Sequence, residues 1–165
     1  MKKLKLFIWI FALSLAELWC TSHIRIFGAV PALTFAFLVC VSICDDEFHI
    51  ATVTGALCGI FAGSLFGRSF GAVFAYYALS AIAVFILRKK PRYTHGAVKS
   101  SFWCLILTAL FEFILLLAGG HGLRAQLIIR AVVPAPLCCA AAAALIYPLI
   151  VKTVYNKERQ KKLIS

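Results

Sequence analysis

Six apolar runs occupy most of this chain, at roughly Leu6–Cys20, Phe27–Cys44, Phe48–Phe66, Phe70–Leu87, Ser101–Ala118 and Leu127–Val151. Most approach the ~17–25 residues that a helix needs to span hydrocarbon. The first is short and is expected to extend through Leu4 or Ser22. Strict alternation of apolar and polar residues, the mark of a membrane barrel, is absent, so helices are the available spanning structure. Composition allows little else. The chain has 165 residues and is 63% hydrophobic. Its mean hydropathy is +0.97. A domain this small leaves much of its surface exposed, and a water-facing globule could not hide so much apolar area. The expected fold is an all-α polytopic membrane protein with six transmembrane helices, forming one domain over residues 1–165 with a short basic tail at 152–165.

The opening MKKLKLFIWIFALSLAELWC also has the basic start and apolar middle of a signal peptide. It lacks small residues ahead of a cleavage point, because Leu18 and Trp19 stand before Cys20 and Glu17 interrupts the run. A retained first helix is the expectation.

Basic residues set the orientation. With six spans, one side holds Lys2, Lys3, Lys5, Arg88, Lys89, Lys90, Arg92, Lys99, Lys152, Lys157, Arg159, Lys161 and Lys162. The other side holds Arg25, Arg68 and Arg124, and Arg130 falls inside a span. This asymmetry is expected to place both termini in the cytoplasm. It also accounts for the net charge of +11 without nucleic acid, since the basic edge meets anionic lipid headgroups. No phosphate loop or basic-aromatic module is present in the sequence.

Glycine recurs every fourth residue at Gly55, Gly59, Gly63, Gly67 and Gly71. In a membrane helix, residues so spaced form a face without side chains, which admits a second backbone at close range. Each step drifts roughly 40° around the helix, so Gly55, Gly59 and Gly63 share a face. Gly67 and Gly71 are expected to bound a short turn. The shared face is a candidate for helix packing or for a partner interface. Ala140–Ala144 offers a second small-residue face.

Polar residues within the runs are few. Glu112 and Arg130 lie about equally far from the turn GGHGLR and are expected to pair across adjacent antiparallel helices. Such a pair either fixes helix rotation or belongs to an ion relay. Glu17, near the outer end of the first run, is expected to make a rim contact with Arg25, Arg68, Arg124 or His121. Asp45, Asp46 and Glu47 form the acidic run before the third segment. They suit an N-cap and a favourable dipole charge, or a cytoplasmic contact with a basic partner. Pro134, Pro136 and Pro148 are expected to kink the last segment. Seven cysteines sit in or beside apolar runs with no C-x-x-C pair, which reads as small buried hydrophobes rather than a zinc site. No hydrolytic triad, metal set or cofactor signature can be drawn, so the sequence reads as non-enzymatic.

Several local patterns together resemble one family. They are LAELW in the first segment, the glycine-rich HIATVTGALCGIFAGSLFGRSFGAVFAYYALSAIAVFILRKK, LFEF in the fifth, and IIRAVVPAPL and YPL in the sixth. In order and spacing the chain resembles the rod shape-determining protein MreD family. Where family members commonly carry an acid after the glycine run, this chain has Ser64, and near their usual Asn it has Cys138. The resemblance implies a multi-pass scaffold of the bacterial cell-elongation complex, or elongasome, which maintains cell shape by directing peptidoglycan synthesis. It implies an MreC-like bitopic partner and, through it, the MreB filament, the RodA glycosyltransferase and a penicillin-binding transpeptidase. It implies no cofactor. The rival reading is a substrate-capture subunit of an energy-coupling-factor vitamin transporter, with Trp19, His23, Arg25, His121 and Arg124 near an outward pocket.

Overall fold

The computed structural model describes residues 2–23, 32–65, 70–88, 96–118 and 133–155. These form α1 (Lys2–His23), α2 (Leu33–Cys44), α3 (Phe48–Leu65), α4 (Phe70–Leu87), α5 (Gly96–Ala118) and α6 (Pro134–Ile150), followed by a π-helical turn at Val151–Tyr155. Among the described residues the chain is all-helical. Four stretches are long and apolar enough to cross a membrane: Lys2–His23, Phe70–Leu87, Gly96–Ile114 and Pro134–Tyr155. The apolar lengths of α2 and α3 are shorter, Leu33–Cys44 and Phe48–Ser64.

The helix α2 is the hub. Every residue from Thr34 to Cys44 is buried, and α1, α3, α4, α5 and α6 all pack on it. A helix apolar all round has no face that asks for water, so LTFAFLVCVSIC can be enclosed on every side. The neighbouring helices are arranged as two hairpin pairs, α3 with α4 and α5 with α6, with α1 closing the bundle against α2 and α3.

The helix α1 shows the inverted pattern that lipid favours. Its outward stripe is Leu4, Phe7, Ile8, Phe11, Leu15 and Trp19, all exposed, while its buried stripe is Leu6, Ile10, Ser14 and Glu17. Spacings of three and four place each set on one side. Ser14 and Glu17 therefore point into the protein beside Leu6 and Ile10, while a broad apolar face points out.

Glycines explain the close pairing of α3 and α4. A Cβ on Gly55 would lie 2.8 Å from Ala81 Cβ, and one on Gly59 would lie 3.0 Å from Phe74 Cα. A Cβ on Gly63 would lie 2.9 Å from Phe70 Cδ2. The face predicted for helix packing or for a partner is thus filled from within the chain by α4, which corrects the partner half of that expectation. Gly71 differs, with nothing within 4 Å of its would-be Cβ. Gly67 lies outside the described residues.

Two of the three prolines expected to kink the last segment stand at the start of α6. Pro134 is the first residue of α6 and Pro136 stands in its first turn. There the missing N–H costs nothing, because the opening amides of a helix have no intrahelical acceptor, and the fixed φ favours initiation. Pro148 alone lies inside α6. One turn later the helix widens into the π turn at Val151–Tyr155, the local adjustment that a displaced backbone bond permits. The fifth segment begins earlier than the apolar pattern suggested: α5 starts at Gly96, under the Tyr147 ring, where a side chain would collide.

Candidate functional site

Buried polar groups gather at the two ends of the bundle. At one end Asp45, between α2 and α3, is 0% exposed. Its Oδ2 accepts from the Tyr155 hydroxyl at 2.7 Å and faces Lys2 Nζ at 3.1 Å. Its Oδ1 accepts from the Glu47 amide at 3.1 Å, an Asx-type turn that leads the chain into α3. Lys2 Nζ also sits 4.8 Å from the centre of the Tyr155 ring, within cation–π range. Nearby, Arg88 donates to the Ile43 carbonyl at 2.9 Å, satisfying an orphan carbonyl of the last turn of α2. The half-buried Arg88 guanidinium is pressed below its ordinary value by desolvation, while Asp46 and Asp45 oppose that shift. It stays charged, since arginine starts far above neutrality. Lys5 donates to the Thr153 carbonyl at 2.9 Å, a second stitch between α1 and the π turn.

These contacts bring together the start of α1, the α2–α3 turn, the end of α4 and the end of α6. All were expected on one side from charge asymmetry. They also correct the expectation for Asp45 as an outward docking residue. Its basic partner is the chain's own Lys2, and only Asp46 and Glu47 of the acidic run are exposed. Glu47 pairs with His49 at 2.9 Å, with both side chains largely in solvent, so that contact contributes little.

At the opposite end α1 clasps α2. Glu17, 4% exposed, accepts through Oε2 from the Thr34 amide at 2.8 Å and from the Thr34 hydroxyl at 2.7 Å. Leu33 and Thr34 open α2, whose own N-cap residue, Ala32, makes no side-chain hydrogen bond. Glu17 therefore caps α2 from a different helix, with its carboxyl beside the positive end of the helix dipole. Charged-group hydrogen bonds contribute about 1.5–3 kcal/mol each. Thr34→Val is expected to lower stability by roughly 1–3 kcal/mol because it removes the hydroxyl donor and keeps the volume. A thermal unfolding midpoint in detergent equal to wild type would contradict the clasp. The rim partners expected for Glu17, Arg25, Arg68, Arg124 and His121, lie outside the described residues; among the described residues its hydrogen-bond partner is Thr34.

A seam of thiols and hydroxyls runs between these ends. On α5, Gly96, Ser100, Cys104 and Thr108 recur every fourth residue, in step with Glu112. The first four are buried, against α6 and α2. Cys104 interacts with Cys139 of α6 and with Thr108, and Cys40 of α2 interacts with Ser100. Cys40 Sγ also lies 3.6 Å from the Ala143 carbonyl. The hydroxyls of Ser100 and Thr108 meet no partner of full strength, since thiols are weak donors and acceptors. All seven cysteines are free, and five are buried. Sequence reasoning missed this ladder, although its period equals that of the glycines. The available signal was small and polar residues four apart in a largely apolar run.

The tie between α4 and α5 is aromatic. The Tyr76 hydroxyl donates to the Leu107 carbonyl, and its ring lies 4.2 Å from that of Phe111. Glu112 is half-buried on α5; its expected pairing with Arg130 lies outside the described residues. Compared with protein-family models, curated proteins and solved structures, the chain matches none.

Proposed function

We propose that this chain is a non-enzymatic membrane scaffold of the bacterial cell-elongation complex, crossing the inner membrane six times with both termini in the cytoplasm. In this reading it binds an MreC-like bitopic protein and through it links wall synthesis by RodA and its transpeptidase to the MreB filament. One observation carries the reading. The buried carboxylates described, Glu17 and Asp45, are committed to joining helices, while the outward faces of α1 and α5 present apolar side chains. Such a bundle acts through its outer helical faces. Its order of acid, glycine run, late acid, arginine and prolines resembles the MreD pattern. The glycine stripe is not the partner's seat, because α4 occupies it.

Affinity purification of the full chain from its own host in mild detergent tests the proposal. An MreC-like protein is expected to co-purify in near-stoichiometric amount, and depletion of the chain is expected to round the cells. Recovery without such a partner, together with unchanged cell shape, would overturn it. A water-soluble vitamin retained one-to-one would replace it with the transporter reading.

A further inference from the structure

The bundle encloses two carboxyls and treats them differently. Asp45 faces the Lys2 ammonium, with Arg88 in electrostatic range. The described groups within hydrogen-bond or electrostatic range of Glu17 are uncharged side chains and amides. These are Thr34 of α2 at 2.7 Å and 2.8 Å, the Leu33 amide beside it, Cys58 of α3, Tyr77 of α4 and Cys139 of α6. On its own helix, Ser14 is already turned to the Ile10 carbonyl at 2.8 Å. Among the described residues, no lysine, arginine or histidine shares a contact with it.

A carboxyl enclosed in a membrane bundle with no cation among its described neighbours is either neutralised by a bound proton or held as an anion by donors. Both influences act here. Burial opposes the charge, while two donors of Thr34 and the N-terminal end of α2 support it. With the two opposed, a proton can be gained and lost while the fold persists. Glu17 lies about 9 Å along the helix from the His23 end of α1, six residues away, so exchange has a short path to that end.

We infer that Glu17 is a proton-binding site of the bundle, and that its occupancy sets how tightly α1 is clasped to α2. Protonation forms an O–H bond at Oε1 and leaves Oε2 accepting from Thr34. Release returns the proton to water and leaves a carboxylate whose counter-charge is the amide end of α2. The inference stands apart from the cell-elongation reading and survives its failure.

Infrared spectroscopy of the full chain in lipid nanodiscs, from about pH 4 to about pH 9, tests it. The wild type is expected to show a protonated-carboxyl C=O band that comes and goes with pH. That band should be missing from Glu17→Gln, and the unfolding midpoint should vary less with pH in Glu17→Gln than in wild type. Thr34→Val keeps the acid and removes a donor, so it is expected to move the pH at which the band appears. This arm works even where Glu17→Gln does not fold. A wild type with no pH-dependent carboxyl band overturns the inference. So does the same band persisting in Glu17→Gln, an unmoved band in Thr34→Val, or displacement of the band by sodium at fixed pH.

Discussion

Replacing Gly59 by leucine is expected to lower the stability of the bundle by roughly 3 kcal/mol. The reason is that the obstacle is backbone. A first carbon at Gly59 already lies 3.0 Å from Phe74 Cα, 3.2 Å from Tyr77 Cβ and 3.3 Å from the Phe74 carbonyl oxygen. None of these can rotate away, so three further carbons must push α3 from α4. That separation also breaks the approach of Gly55 to Ala81, at 2.8 Å from its would-be Cβ. The tightest of the helix pairs then has no alternative close register. Gly63 is more forgiving in part, because its nearest neighbour is a side-chain atom, Phe70 Cδ2, and the Phe70 backbone lies at 3.4 Å and beyond. Gly71→Leu is the control. Nothing lies within 4 Å of its would-be Cβ, and the change is expected to stay within about 0.5 kcal/mol. Thermal unfolding in one detergent, read by loss of the monodisperse peak, separates the two. Equal midpoints for Gly59→Leu and wild type would mean that α3 and α4 do not meet on this face.

This contrast shows what hydropathy can and cannot reveal. The all-helical character, six described helices and the shared end of Lys2, Asp45 and Arg88 were legible, because lipid demands apolar length and charges fall between lengths. The glycine face was legible as a packing face for the same reason. Its partner was not, because a stripe without side chains accepts any backbone and the nearest one in sequence, α4, took it. The hub position of α2 was hidden. In water an all-apolar helix stands out among amphipathic ones, but in lipid every span is apolar, so LTFAFLVCVSIC looks like its neighbours. Proline carried the opposite ambiguity. Pro134 and Pro136 look like interruptions in a run drawn from Leu127, and they are the start of a helix. Charge was informative but its address was not. Asp45, Asp46 and Glu47 suit either a cap of the third helix or a contact with a basic partner, and the fold turns Asp45 inward onto residues at both ends of the chain, Lys2 and Tyr155. No local pattern encodes a contact across 110 residues.

That inward turn supports the second large effect. Asp45→Ala is expected to cost about 3–4 kcal/mol. The loss is more than the ion pair, since it strips the acceptor from the buried Tyr155 hydroxyl and the Glu47 amide and leaves an ammonium beside an apolar wall. The partners are not equal. Lys2 is 22% exposed, so water can take over its charge, and Lys2→Ala is expected to cost at most about 1 kcal/mol. Tyr155 is fully buried, and Tyr155→Phe removes a hydroxyl donating to a charge, expected at about 1.5–3 kcal/mol. Because both act through Asp45, the double variant Asp45→Ala with Tyr155→Phe should lose little beyond Asp45→Ala alone. The site of the loss is as diagnostic as its size. Without Asp45 the π turn at Val151–Tyr155 loses the carboxylate that joins Tyr155 to Lys2, and the Lys5 contact to Thr153 and the approach of Lys2 to the Tyr155 ring carry more of its hold on α1. Amide exchange should therefore quicken first across Val151–Tyr155 and the first turn of α1, before the hub helix α2 opens. Unchanged protection there in Asp45→Ala, with a wild-type midpoint, would show that the two ends of the chain are held together by something other than this carboxylate.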